Sequence, residues 1–387
     1  MCHIAMHMDQ DLQQFQTPGQ YIQFLLEEKG WSQKVLAVVL QVDEAIVNKI
    51  ISGKKNLDAK MAIALSDTFS IPADVFLTLQ KKYELALAQI LTKEDPARFR
   101  RAQLFASLPI PEMIKRGWLN VSTYKDVEKV EKELLDFFQT DSFSEIQNLP
   151  HASKKTDSGK VATPTQIAWI YRVKAIASEM LVGRYSPVAV KASLPKLKEL
   201  LVSPVATRKV SRILAECGIR FVIVETLKGA KIDGVCLWLD DASPVIGMSL
   251  RFDRIDNFWF VLRHELEHVI QEHGKTNPML DVNLQIEEHD YENVINEEES
   301  IANAAAAEFC VPQKQLKSFI VRKRPFFYDR DIIGFSKTIG RHPGLIAGQL
   351  RFQLKTYNRF NSHLAKIRSI VTRESISDGW GNVVPLN

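Results

Sequence analysis

Cysteine is scarce in this chain of 387 residues, which contains four. Cys2, Cys217, Cys236 and Cys310 lie far apart and include no CxxC pair. This spacing argues against a zinc cluster held by thiolates and against a disulfide scaffold. We therefore expect a protein of a reducing compartment, the cytoplasm.

Long apolar runs and targeting signals are also missing. No run approaches the roughly 20 apolar residues that span a bilayer, so we expect no membrane partner. Residues 1–16 lack the basic segment and apolar block of a secretory signal, and we predict a flexible tail there. The segment Lys228-Gly-Ala-Lys231 is too short for a phosphate-binding glycine loop.

The composition is that of an ordinary globular protein, with 45% hydrophobic and 25% charged residues. Its length predicts two or three domains. The net charge of +4 is mild, and by itself it says little about nucleic acid.

Predicted helices and strands divide the chain into regions. Short amphipathic helices occupy 17–92, and a mostly helical linker region, 93–186, includes an exposed polar loop at 151–160. The last region, 187–387, begins with a helix, continues with strands and ends with helices. This order predicts the α+β fold class, with a small antiparallel or mixed sheet. The predicted strands are 219–225, 233–239 and 244–250.

Two short helices in the first region have the spacing of a helix-turn-helix. Ser32 is the predicted N-cap of a helix 33–40, and Asp43 that of a helix 44–51. The second helix would lie in the major groove of DNA, and Lys54 and Lys55 after it suit phosphate contacts. The predicted buried faces consist of Val35, Leu36 and Val39 on the first helix and Ile46, Val47 and Ile50 on the second.

Region 17–92 resembles the Cro/repressor-type helix-turn-helix and, within that group, the HigA-type antitoxins. The resemblance implies a homodimeric regulator that binds an operator, represses its own operon and neutralises a partner toxin. The residues implied to face DNA are Gln33, Glu44, Ala45, Asn48 and Lys49. The matching segments are Pro18-Gly-Gln-Tyr-Ile, Gly30-Trp-Ser-Gln-Lys, Ile50-Ile-Ser-Gly-Lys, Ile71-Pro-Ala and Leu79-Gln-Lys-Lys-Tyr83.

Two features oppose strong DNA binding. Gln41 lies where such proteins usually carry Gly, and a non-Gly residue at positive φ costs about 1 kcal/mol. Region 17–92 has eight Lys, no Arg and eight acidic residues, and affinity for DNA depends largely on cations. We therefore expect modest binding unless the protein dimerises. The alternative is that Asn48 and Lys49 belong to a solvated helix face.

The sharpest signal in the sequence is His264-Glu265-Leu-Glu-His268. Residues four apart share a helix face, so both imidazoles can bind one Zn²⁺ ion. Glu265 would lie beside the metal, where it can accept a proton from water and pass it to the leaving amine. The flanking residues form a helix that is apolar nearly all round, which predicts that it is buried. The alternative is a chance match on a solvated face.

A third ligand is predicted on a second helix that ends before Pro312. One face of this helix carries Glu299, Asn303, Ala306 and Cys310. The alanines would let the helix pack closely on the first and bring the Glu299 carboxylate to the zinc. A His₂Glu site with a fourth position open for water is typical of catalytic zinc. Glu297 and Glu298 compete, but they turn away from that face, and Glu299 is alternatively one charge of the acidic run 281–300. His342 is either a donor to an oxyanion near the metal or a helix cap.

These residues resemble the ImmA/IrrE metallopeptidase family, which implies a zincin-like domain over 187–387 with an HExxH helix. The resemblance implies that His264, His268 and Glu299 are the zinc ligands and Glu265 the catalytic base. Glu267 departs from the family, which commonly has Gly there, and its carboxylate is either solvated or alters the approach to the site. The matching segments are Asp256-Asn-Phe-Trp-Phe-Val-Leu-Arg-His-Glu-Leu-Glu-His268, Glu299-Ser-Ile-Ala-Asn303, Phe309-Cys-Val-Pro312, Pro343-Gly-Leu-Ile-Ala-Gly-Gln-Leu350 and Leu108-Pro-Ile-Pro-Glu-Met-Ile-Lys-Arg-Gly-Trp118.

The sequence thus supports two compatible hypotheses. The first is a zinc-dependent peptidase, coupled to a DNA-binding regulator domain, that cleaves a regulatory protein. The second is a HigA-type antitoxin and autorepressor that binds a toxin and its operator, with a zinc domain that is not catalytic.

Overall fold

A computed structural model describes residues 15–93, 95, 97–142, 145–146, 162–282, 284 and 297–386. The chain forms two compact units, Met1–Pro96 and Ala97–Asn387. The greater part of the predicted tail 1–16, the whole of the predicted loop 151–160 and most of the acidic run 281–300 lie outside the described residues. None of the helices in the described part of the chain combines the length and apolar character that crossing a membrane requires.

The described part of the first unit consists of helices with well-defined ends. Thr17, Ser32, Asp43 and Asp58 each cap a helix by accepting a hydrogen bond from a backbone N–H of its first turn. The helices are α1 (Pro18–Lys29), α2 (Gln33–Leu40), α3 (Glu44–Ile51), α4 (Ala59–Phe69) and α5 (Ala73–Leu91). The predicted caps and bounds of α2 and α3 are therefore confirmed.

Small residues and a left-handed turn bring α2 and α3 together. Leu36 and Ala37 of α2 are buried, as are Val47 and Ile50 of α3. Gln41 ends α2 with φ 53° and ψ 43°, so the predicted positive φ at this non-Gly residue is confirmed.

The predicted buried face of α2 is wrong at two positions. Val35 is 41% exposed and Val39 is 46% exposed. Leu36 is buried as predicted, and the other buried residue of α2 is Ala37, which lies with Leu36, Val47 and Ile50 in one hydrophobic core. On α3, Val47 and Ile50 are buried as predicted, while Ile46 is half-buried.

Five strands among the described residues of the second unit form a mixed sheet, in the order β4-β2-β3-β1-β5. β1 is parallel to β3 and to β5, whereas β2 is antiparallel to β3 and to β4. The strands are β1 (Arg220–Val224), β2 (Ile232–Trp238), β3 (Pro244–Met248), β4 (Met279–Val282) and β5 (Ile376–Asp378). The three predicted strands are present within two residues of their predicted bounds, the predicted mixed sheet is confirmed, and the fold is α+β overall.

Helices of the second unit cover both faces of the sheet. Those before β1 are α6 (Ala97–Ser107), α7 (Ile110–Lys115), α8 (Val127–Phe138), α9 (Pro164–Ser178), α10 (Pro187–Glu199) and α11 (Val210–Glu216). Those after β3 are α12 (Ile255–Ile270), α13 (Glu297–Cys310), α14 (Gln313–Lys323), α15 (Asp329–Ile339), α16 (Pro343–Gln353) and α17 (Arg368–Val371). Short 3₁₀ helices lie at Leu200–Val202, Pro204–Lys209 and Asn361–His363.

Alternate residues of β1 serve two hydrophobic cores, because successive side chains of a strand point to opposite faces. Phe221 and Ile223 pack with α12 in one core. Val222 and Val224 pack with α9 in the other. The described part of the region predicted as a linker, 93–186, therefore supplies the helical layer on the second face of the sheet.

The helix α12 lies in the first core with almost every residue buried, as its apolar sequence predicts. α13 packs directly along it, with Glu299, Ala302, Ala306 and Cys310 as its buried residues. The small side chains of the two alanines permit this close approach, so that Glu299 lies against the histidines of α12.

Candidate metal centre and nucleic-acid interface

Two histidines one helical turn apart face the same point from α12. Nε2 of His264 and Nε2 of His268 are 3.0 Å apart, and both side chains are fully buried. Two ring nitrogens at this distance cannot both carry a proton, whereas one metal ion can accept both lone pairs. The predicted pair of ligands therefore lies side by side inside the protein.

The carboxylate of Glu299 completes the predicted set. Its Oε2 is 3.2 Å from Nε2 of His264, and its Oε1 is 3.3 Å from Nε2 of His268. Glu299 is fully buried, while Glu297 is exposed and Glu298 is half-buried. Of these three acidic residues, Glu299 is the one that the fold brings to the histidines.

The fold adds a fourth group that sequence reasoning missed. Asp281, in β4, is fully buried, and its Oδ2 lies 3.3 Å from Nε2 of His264. One ligand atom from each of His264, His268, Asp281 and Glu299 lies within 4.8 Å of all the others. The sequence contains one signal for Asp281, because this aspartate lies among apolar residues in Met279-Leu-Asp-Val282. A charged residue that is buried in an apolar strand needs a partner.

The residues fit a zinc ion by spacing and by chemistry. Tetrahedral ligands held by bonds of about 2.0–2.1 Å lie about 3.3 Å from each other, close to the 3.2–3.3 Å between the nitrogens and the carboxylate oxygens. Imidazole and carboxylate are ordinary zinc ligands. The other ring nitrogen of His264, Nδ1, is buried without a hydrogen-bond partner among the described residues. This buried group could therefore bind a metal ion.

Negative charge dominates the electrostatics of the group. Burial lowers the pKa of His264, but Asp281 and Glu299 outweigh it and raise that pKa to about 10. Burial also raises the pKa of Asp281, yet His264 and His268 bring it below its usual range. The two buried carboxylates of Asp281 and Glu299 beside two imidazoles favour a cation at their centre.

Glu265 lies next to this group on α12 and is fully buried. Burial, followed by the neighbouring carboxylate of Asp281, raises its pKa well above the usual value. Its carboxyl group lies within hydrogen-bonding reach of the Asp281 carboxylate. Gly234 of β2 makes room for it, because a Cβ atom there would lie 2.1 Å from Oε1 of Glu265.

A hydrogen-bonded neighbour orients His268. Its Nδ1 lies 3.0 Å from Nδ1 of His273, and Nε2 of His273 lies 3.7 Å from Oε1 of Glu298. Residues that bind the second nitrogen of a ligand histidine fix the orientation of its ring. His273 therefore fixes the orientation of the His268 ring.

The other residues singled out near the motif have structural partners. Glu267 is held by Arg263, with 2.6 Å between Nη2 and Oε2, and by a hydrogen bond of 2.7 Å from Nε2 of Gln271. Its carboxylate is thus neither solvated nor part of the metal-binding group. His342 caps α16, since its Nδ1 accepts a hydrogen bond of 3.0 Å from the backbone N–H of Gly344.

In the first unit, the residues predicted to contact DNA lie mostly on one exposed helix and the turn after it. Gln33, at the start of α2, is half-buried, and its Nε2 lies 3.4 Å from Oε1 of Gln23. Backbone N–H groups of Lys54 and Lys55 both donate to the carbonyl of Lys49, which brings the three lysines together at the end of α3. The exposed residues of the predicted set are Glu44, Ala45, Asn48, Lys49, Lys54 and Lys55.

Comparison with known proteins gives a match within the first unit. A helix-turn-helix family model of the Cro/repressor type matches residues 22–76. A search of curated proteins finds no match. Helix-turn-helix domains of this type bind DNA, and the match indicates a DNA-binding regulator.

Proposed function

We propose that this protein is a zinc-dependent peptidase coupled to a DNA-binding regulator domain and that it cleaves a regulatory protein. One observation carries the catalytic part. Nitrogens of His264 and His268 and carboxylate oxygens of Glu299 converge to within 3.0–3.3 Å inside the protein. A second observation, the fully buried Glu265 beside them, supplies the group that HExxH peptidases use as a general base. The resemblance to the ImmA/IrrE family accords with this proposal.

The residues divide into ligands and a proton carrier. His264, His268 and Glu299 would hold the Zn²⁺ ion, which when bound supplies Lewis acidity toward a peptide carbonyl and toward water. Glu265 accepts a proton from the attacking water and transfers it to the amine that leaves.

The helix-turn-helix unit would bring the peptidase to DNA. An operator would be bound by α3 in the major groove, with Lys54 and Lys55 on phosphates. A peptidase attached to such a unit would act near a DNA-bound protein. We therefore propose a repressor or antitoxin as the class of substrate.

Metal content of the purified chain tests the ligand set. We expect about one zinc per chain in the wild type and loss of zinc in His268→Ala and in Glu299→Ala. Glu297→Ala is the matched control, because Glu297 belongs to the same helix and is exposed, and it should retain zinc. A folded wild type that takes up no zinc when zinc is supplied would refute the proposal.

A second variant separates binding from catalysis. Glu265→Gln should bind zinc as the wild type does and should lower the rate of cleavage of any substrate about 100-fold or more. Cleavage at the wild-type rate by Glu265→Gln would refute the role proposed for Glu265.

The helix-turn-helix match at 22–76 favours a second candidate function. In this alternative the protein is a HigA-type antitoxin that represses its own operon and binds a toxin, and its zinc domain is not catalytic. We expect it to bind a palindromic operator as a dimer with the same affinity before and after zinc removal. Cleavage of a protein by the wild type but not by Glu265→Gln would exclude this alternative.

A further inference from the structure

We propose that Asp281 is a fourth protein ligand of the metal and closes the site at rest, so that hydrolysis requires its carboxylate to leave. The inference rests on the proposed zinc site and adds its regulation. A catalytic zinc site normally has three protein ligands and an open position for water or substrate. Here a fourth donor from a different element, β4, takes part in the same group.

The first argument is the identity of the nitrogen that Asp281 meets. A carboxylate that only orients a ligand histidine binds the ring nitrogen opposite the metal. Asp281 instead approaches Nε2 of His264, which also faces Glu299. The opposite nitrogen, Nδ1, has no hydrogen-bond partner among the described residues. Asp281 therefore occupies a ligand position and not a supporting one.

The second argument is distance. Oδ2 of Asp281 is 3.3 Å from Nε2 of His264, and the corresponding oxygen of Glu299 is 3.2 Å from the same atom. The two carboxylates are thus equivalent with respect to this histidine. With Asp281 and Glu299 both bound, two negative charges balance the charge of Zn²⁺, which favours burial of the whole centre.

The third argument is the way in which β4 is held. Asp281 pairs with Gly234 of β2, and a hydrogen bond of 2.9 Å from the backbone N–H of Leu284 to Asp233 anchors the chain just beyond the strand. Asp233 is itself paired with Arg251, with 3.2 Å between Oδ1 and Nη2. These contacts place the carboxylate of Asp281 at the histidines in the resting state.

β4 also has features that would let Asp281 move away. It is an edge strand of four residues, and its pairing with β2 shifts in register between Ile232 and Gly234. Short edge strands and such irregularities hold fewer backbone hydrogen bonds than a regular central strand. A small displacement of β4 would open the position that Asp281 occupies.

Cobalt substitution of the full chain tests the proposal without an activity assay. The visible spectrum of bound Co²⁺ reports the number and type of its ligands. Acetohydroxamate is a small bidentate probe whose two oxygens need open coordination positions on the metal. We expect the spectrum of the wild type to stay unchanged at probe concentrations that saturate Asp281→Ala. The midpoint of the titration should fall at least about tenfold in the variant, a gain of about 1.4 kcal/mol in probe binding.

Asp281→Asn gives a second variant of nearly the same volume. Glu297→Gln is the control, because Glu297 is an exposed carboxylate of α13 that is not a proposed ligand. Glu297→Gln should behave as the wild type. An equal response to acetohydroxamate in the wild type and Asp281→Ala would overturn the closed site and leave the zinc proposal intact. A wild-type spectrum that already changes at low acetohydroxamate concentrations would also overturn the closed site, even if neither variant folds. A wild type that binds neither Co²⁺ nor Zn²⁺ would overturn both.

Discussion

The buried ion pair between Arg172 and Asp378 joins α9 to the last strand of the sheet. Nη2 of Arg172 lies 2.5 Å from Oδ2 of Asp378, and the two side chains are 2% and 1% exposed. The carboxylate also accepts hydrogen bonds of 2.8 Å from Nε1 of Trp118 and 3.1 Å from the backbone N–H of Val384. Asp378→Ala would remove this carboxylate and leave the guanidinium buried without its counter-charge.

The expected loss of stability follows from the burial of the pair. Breaking a buried ion pair by removing one partner costs about 3–5 kcal/mol. In a unit of this size each kcal/mol lowers Tm by about 2–4 °C, so Asp378→Ala should lower the Tm of the second unit by about 6–20 °C.

Thermal unfolding of the full chain, followed by circular dichroism, measures this change. Glu216→Ala is the control, because the partner of Glu216 is Arg212 and the two side chains are 56% and 86% exposed. A surface pair of this kind contributes less than about 1 kcal/mol. Equal decreases of Tm in Asp378→Ala and Glu216→Ala would refute the reasoning.

Four further predictions concern the site and the DNA-binding unit. Removal of zinc by a chelator should lower the stability of the second unit by about 3–4 kcal/mol relative to protein at 100–1,000 times the Kd for zinc; an unchanged Tm would contradict the metal site. Gly234→Ala should displace the carboxylate of Glu265, because the new Cβ atom would lie 2.1 Å from Oε1 of Glu265. The rate of cleavage should fall about 100-fold while the zinc content stays unchanged. Full activity of the variant would contradict this role of Gly234. Burial raises the pKa of Cys310 to about 12 and that of Cys236 well above its usual value. A thiol reagent at about pH 8 should therefore label neither cysteine until the protein unfolds, as measured by mass spectrometry. Labelling of either cysteine in the native protein would contradict this expectation. Lys49→Glu should weaken DNA binding, measured by fluorescence anisotropy. The slope of log K against log salt concentration should become smaller in magnitude by about 1 or more. Unchanged binding would show that Lys49 does not contact DNA.

Local signals account for the parts of the fold that the sequence predicted well. The caps Ser32 and Asp43 lie next to the helices that they begin, and the spacing of His264 and His268 is a property of one helix turn. Both depend on neighbours in the chain, so they can be recognised without the tertiary structure.

Nonlocal contacts account for the rest. Asp281 reaches the histidines only because β4 pairs with β2, and a strand of four residues has too short a pattern to be recognised. The packing of α9 on the second face of the sheet also depends on contacts that are distant in sequence. Trp169 and its neighbours in sequence are buried, so this helix is enclosed on most sides. Val35 and Val39 were predicted as buried because periodicity does not decide between two adjacent faces of a short apolar helix.

The proposed ligands come from three elements that are separated along the chain: α12, β4 and α13. A chain that has formed only α12 holds two of the four donors, and the others arrive when the sheet and α13 are in place. Metal binding would then be coupled to the folding of the second unit, since a site that is absent from the unfolded chain contributes its binding energy to folding. Loaded metal would thus act as a cross-link that joins β4 and α13 to α12, three segments that are distant along the chain.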